Sequence, residues 1–116
     1  MSASRIEQYR FGEIVIDGLA YSDDVIVFED HVMGDWWRVE GHSLAVEDLR
    51  AVLEAHPRVL IVGQGVFSRM QVPVETRRRL EEAGILLVTL PTSEAVEAFN
   101  RMEHEGGVVA ALHVTC

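Results

Sequence analysis

Three short apolar runs, RVLIV at 58–62, ILLVT at 85–89 and VVAALHV at 108–114, are separated by segments with helical periodicity. Strands joined through helices cannot be hairpin partners. Helical crossovers favour parallel neighbours, so this half of the chain reads as an α/β sheet in which the direction of the last strand stays open. The linking segments carry the expected punctuation. Val46, Leu49, Val52 and Leu53 fall on one helical stripe that Pro57 closes. Pro73 suits the first position of a second helix, and Gly84 suits its left-handed stop. Along that helix Glu75 and Arg79, Arg77 and Glu81, and Arg78 and Glu82 stand at i,i+4 spacing, which reads as a solvated face. Thr92 or Ser93 caps a third helix with Ala95, Phe99 and Met102 on its inner stripe and Gly106 as its stop.

The first 42 residues read differently. RIEQYRF, EIVIDG, DVIVFED and DWWRVEG are short segments rich in β-branched and aromatic residues, with Asp17-Gly18 as a tight-turn pair between two of them. The expectation is a single α/β domain over residues 1–116. An antiparallel β-rich portion (1–42) precedes an alternating portion (43–116), which ends in a βαβαβ half.

Charge narrows the partners. Nineteen acidic residues against ten basic ones give a net charge of −9, so neither nucleic acid nor an anionic membrane surface is an expected partner. All ten basic residues are arginine, which removes Schiff-base chemistry and a phosphate-loop lysine. No apolar run approaches the ~20 residues of a membrane span. The start MSASRIEQYRFGE carries no export pattern, and a lone cysteine makes no internal disulfide. A cytoplasmic location fits.

The chain finishes on His113 and Cys116. On a strand, residues three apart point to opposite faces, so His113 lies with Val109, Ala111 and Thr115, and Cys116 with Val108, Ala110, Leu112 and Val114. The two cannot share a metal or act as a nucleophile–base pair while the strand is regular. Singly, Cys116 reads as a small buried residue, and His113 either as a satisfied core histidine or as one lining a pocket. If the three late strands run parallel, the 63–72 loop, the turn at 90–93 and His113 converge on one sheet edge, where ligands of open α/β sheets sit.

Gly63-Gln64-Gly65 has Ser68 where a dinucleotide fingerprint needs a third glycine, so no nucleotide cofactor is expected. The glycines allow a tight turn or expose amides as a small anion nest, which Ser68 and Arg69 could complete. His31, His42, His56, His104 and His113 lack metal-ligand spacing, and Asp23, Asp24 and Asp30 do not form a calcium loop, so no metal is expected. Of the adjacent Trp36 and Trp37, a strand would send one inward and one outward, and an outward tryptophan is a common interface anchor. Packing both into the core is the alternative.

W-x-R-x-x-G-H with a following D-L that ends at Leu49, P-x-x-x-I-x-G-x-G at 57–65, G-I at 84–85, T-x-x-A with Asn100, and VAALHVTC at 109–116 occur in this order. Together they resemble the small domain of the adipogenesis-associated domain-containing protein and of a mitochondrial complex I assembly factor, the third in its series, also present in prokaryotic proteins of unknown function. The resemblance implies a three-layer α/β fold with a mixed central sheet, one strand being antiparallel. It implies no enzyme activity and no cofactor, and action through protein partners. This chain differs at Gln64, where a small hydroxyl residue is usual, and it lacks the assembly factor's presequence. The expected function is a non-enzymatic interaction or assembly module that could self-associate through Trp36 or Trp37. The alternative is a small-ligand protein or enzyme built on the 63–70 loop and His113, with no catalytic constellation recognisable in the sequence.

Overall fold

Asp17 and Gly18 both take positive φ, 50° and 82°, the two-residue turn whose twist matches that of the strands it joins. It connects β2 (Glu13–Ile16) to β3 (Leu19–Tyr21), and β1 (Ile6–Arg10) pairs with the other side of β2, giving a three-stranded antiparallel sheet. The computed structural model describes residues 4–116.

A five-stranded sheet forms the centre. Its strands are β4 (Val25–Val27), β5 (Val32–Met33), β6 (Val59–Gly63), β7 (Leu86–Leu90) and β8 (Val108–Leu112), in the order β5-β4-β8-β6-β7. β7, β6 and β8 run parallel, as their helical crossovers require, and β4 lies antiparallel to both β8 and β5. One strand of five therefore opposes the rest. Residues 108–112 of the last apolar run form a central strand buried along its whole length, whereas 113–116 lie beyond the strand and Cys116 is half-buried rather than buried.

Helices α1 (Arg50–Ala55, preceded by a 3-10 turn), α2 (Val74–Glu82) and α3 (Thr92–Met102) complete the crossovers. Phe99 and Ala95 of α3 join Ile6, Ile14 and Ile16 of the small sheet against one face, which also carries Val108, Ala110 and Leu112. Leu49, Val52 and Leu80 cover the opposite face, with Leu60, Val62, Val109 and Ala111. The period-two alternation of β8 thus feeds two separate cores, and the domain has three layers. No helix among the described residues is long and apolar enough to cross a membrane.

Several local expectations are corrected. DWWRVEG forms no strand, because the Trp36 amide donates to the Asp24 carbonyl and the Val39 amide to the Asp48 carboxylate instead of to a ladder. The ILLVT run is an edge strand rather than a doubly buried one, with Leu86 61% exposed. Pro73 sits one residue before α2 with extended ψ, and Pro91 rather than Thr92 or Ser93 precedes α3. Arg77 donates to the Val72 carbonyl. None of the three glutamate–arginine pairs proposed along α2 closes as an ion pair among the described residues.

Candidate functional site at the carboxyl edge of the central sheet

Because β6, β7 and β8 are parallel, their carboxyl ends share one edge, and the loops that follow them meet there. Gly63 ends β6, and its carbonyl accepts from the His113 amide at 3.0 Å. The Thr92 hydroxyl, buried at the start of α3, accepts from the Gly65 amide at 2.8 Å and donates to the His113 carbonyl at 2.6 Å. The Val66 amide donates to the Thr115 carbonyl and the Gly12 amide to the Val114 carbonyl. Four segments are stitched to the last residues of the chain.

The glycines serve this approach. A side chain at Gly65 would stand 2.8 Å from the His113 ring and 2.9 Å from the Cys116 backbone, and φ there is +94°. At Gly63 it would meet Leu112 at 2.9 Å and the Thr92 hydroxyl at 3.0 Å. The loop amides are already engaged. Gln64 donates to Leu90, Gly65 to Thr92, Val66 to Thr115, Ser68 to Gly65 and Met70 to Gln64. That leaves no run of free amides for the anion nest. The Gln64 side chain donates to the Met70 carbonyl at 3.0 Å and closes the loop on itself. Ser68 is half-buried with positive φ, and the exposed Arg69 lies over the exposed Phe67 ring at 5.6 Å.

His113 is buried, and its partners come from the far side of the sequence. The antiparallel register of β4 with β8 pairs Val25 with Leu112, which carries Asp24 opposite His113. The Asp24 Oδ2 lies 2.8 Å from His113 Nδ1 and 2.6 Å from Arg38 Nη1, while Oδ1 accepts from the Val114 amide at 2.8 Å. Burial pushes the Asp24 carboxyl up. Hydrogen bonds from His113, the Val114 amide and Arg38, with the Arg38 charge, outweigh it and hold the group below the usual carboxylate range. An ionised carboxylate 2.8 Å from Nδ1 requires the proton on that nitrogen. Arg38 Nη2, 3.1 Å from the same nitrogen, carries two N–H groups and donates one of them to the Gly41 carbonyl at 2.9 Å.

His113 Nε2 and Arg38 Nε are both buried without a hydrogen-bond partner among the described residues. Arg38 lies over the Trp36 ring at 5.0 Å, and Trp36 is itself buried, donating through Nε1 to the Asp48 carbonyl. Sequence reasoning missed Asp24 and Arg38 as partners of His113. They stand 89 and 75 residues away, and only the β4–β8 register connects them.

Outside this cluster lies an open cleft of about 500 Å³, lined by Asp23, Asp35, Trp37, Arg38, Gly41 and Thr115 among others. Trp37 is 84% exposed. Of the two tryptophans, only Trp37 is available to a partner. Phe67 and Phe11 are also largely exposed, each beside a residue whose amide is bonded to Thr115 or Val114. Among the described residues no three His, Cys, Asp or Glu side chains come together to hold a metal ion.

A family described as a protein of unknown function (DUF498/DUF598) matches residues 6–113. Solved structures share the fold over nearly the whole chain. The conserved hypothetical protein PH1505 from Pyrococcus horikoshii is 25% identical, with 96% of this chain and 98% of that one covered and a TM-score of 0.83. A structure described as an outer membrane protein from Bartonella henselae is 28% identical, with 97% and 96% covered and a TM-score of 0.83. The Rpa2829 protein from Rhodopseudomonas palustris is 27% identical, with 93% and 81% covered and a TM-score of 0.78. With the match running from β1 to the histidine beyond β8, this chain belongs to the DUF498/DUF598 family of proteins of unknown function.

Proposed function

We propose that the domain is a cytoplasmic protein-interaction module of the assembly type, docking its partner at the carboxyl edge of the central sheet. The observation that carries this reading is the placement of exposed aromatics. Trp37 lines the cleft with Thr115, while Phe67 and Phe11 project from the loops tied to Thr115 and Val114. Large aromatic side chains held in water on fixed backbone are what an interface core uses, and truncating such an anchor costs a complex about 2 kcal/mol or more. The resemblance to the complex I assembly factor supports the assembly part of the reading.

The test is affinity for a partner purified with the domain from its native cell. Trp37→Ala and Phe67→Ala each weaken that complex by about 30-fold, the equivalent of ~2 kcal/mol. Val74→Ala, an exposed apolar residue at the start of α2, leaves it unchanged. Equal affinity for all three variants would remove the assignment.

A second reading, a small-ligand protein or enzyme, draws on the carboxylate-oriented His113, whose Nε2 has no partner among the described residues. It requires a ligand-induced rise in melting temperature that His113→Gln abolishes. A metabolite screen without such a rise counts against it.

A further inference from the structure

We propose that the domain self-associates through β7, pairing it antiparallel with the same strand of a second copy about a two-fold axis at Val88. This surface is separate from the Trp37 edge and goes beyond the reading above.

An unpaired edge strand is a template for another chain, and the sheet edges of this domain differ in how they are protected. In the small sheet, β1 carries a register irregularity and the charges of Glu7 and Arg10. Its first residue is also occupied: the Asn100 side chain accepts from the Ile6 amide and donates to the Ile6 carbonyl. β3 has three residues, and β5, the other edge of the central sheet, has two. β7 is different. It is five residues long, LLVTL, without a charge, a proline or a bulge.

The direction of its hydrogen bonds follows from the parallel register. The Leu86 amide donates to the Arg58 carbonyl and the Leu90 carbonyl accepts from the Gln64 amide, so Leu86, Val88 and Leu90 bond to β6. Leu87 and Thr89 therefore turn both backbone groups outward. Under a two-fold axis at Val88, Leu87 of one copy faces Thr89 of the other, and the two exchange both of their bonds. Leu86 then lies opposite Leu90, which covers the most exposed apolar side chain of the strand. The strand is complementary to itself in backbone and side chains, and it lacks the charge pattern that would select a different strand. The product is a continuous ten-stranded sheet, twice the five strands of one copy.

Light scattering after size exclusion tests this on the whole chain. Wild type elutes with the mass of two chains. Leu86→Lys, at an exposed position that spares the core, elutes with the mass of one and keeps the circular dichroism of the wild type. Trp37→Ala stays dimeric, which keeps this outcome distinct from the partner reading. The register is tested by Val88→Cys in a Cys116→Ser background. Directly opposed residues of a non-hydrogen-bonded pair sit at disulfide distance, so mild oxidation yields a covalent dimer. Leu86→Cys in that background yields none. A monomeric wild type, a dimer lost in Trp37→Ala, or a dimer in which Val88→Cys fails to cross-link would each overturn the proposal.

Discussion

The interior and the rim of one sheet edge are built on opposite rules. Inside, Asp24, Arg38 and His113 are charged or titratable side chains largely withdrawn from water that bond to one another and fix the Val114 amide. A few residues away, Trp37 and Phe67 are large apolar side chains left in water. Polar groups belong outside and aromatics inside unless something compensates, so both arrangements need a reason. The interior polar cluster holds the end of the chain in register, as its bonds to β4, β6 and α3 show. The rim makes few such contacts, and the fold gains little from it. The difference separates what stabilises the domain from what is free to bind.

Substitutions can break this contrast, and the interior has the most to lose. Asp24→Ala leaves Arg38 buried without its counter-charge and should cost about 3–5 kcal/mol in urea unfolding. A cost below about 1 kcal/mol would move the cluster to the exposed class. Thr92→Val removes the hydroxyl that bridges Gly65 and His113, leaving a buried amide and carbonyl each short of a partner. About 2 kcal/mol should be lost by the same assay.

Acid sharpens the contrast. The folded-state pKa of Asp24 is depressed, so its stabilisation is complete above the unfolded aspartate value of about 3.9. It fades as pH falls through the lower folded value. The gap in stability between wild type and Asp24→Asn should therefore hold near neutral pH and narrow below about pH 4. A gap that widens on acidification would reverse the sign. At the rim, Trp37→Ala should shift stability by no more than about 0.5 kcal/mol, because so exposed an indole leaves little cavity behind.

The alternating half was legible because its signals are local. Pro73 and Gly84 bracket α2, Gly106 follows the 3-10 turn that extends α3, the three apolar runs contain β6, β7 and β8, and Asp17-Gly18 is the turn it reads as. Sheet order is not local. The five residues of β7 are as apolar as those of β6, and only the packing of the whole chain places one at the edge and the other at the centre. The 35–41 segment misled for a related reason. Its aromatic content suits a strand, but Asp24 and Asp48, both outside it, take its amides.

The candidate site was half legible. Parallel late strands bring Gly63, Gly65, Thr92 and His113 together, and the alternation along the last strand places His113 with Val109 and Ala111. What His113 touches was not readable, since a carboxylate 89 residues upstream leaves no mark near it. The same holds for the Gln64, Gly65 and Val66 amides, whose acceptors lie on other segments.

The most direct test of the division between structural interior and proposed binding rim is the affinity of Trp37→Ala for a partner purified with the domain, measured beside its urea midpoint. A loss of about 30-fold in affinity with the midpoint unchanged is expected. Unchanged affinity, or a loss that tracks a lowered midpoint, would contradict that division.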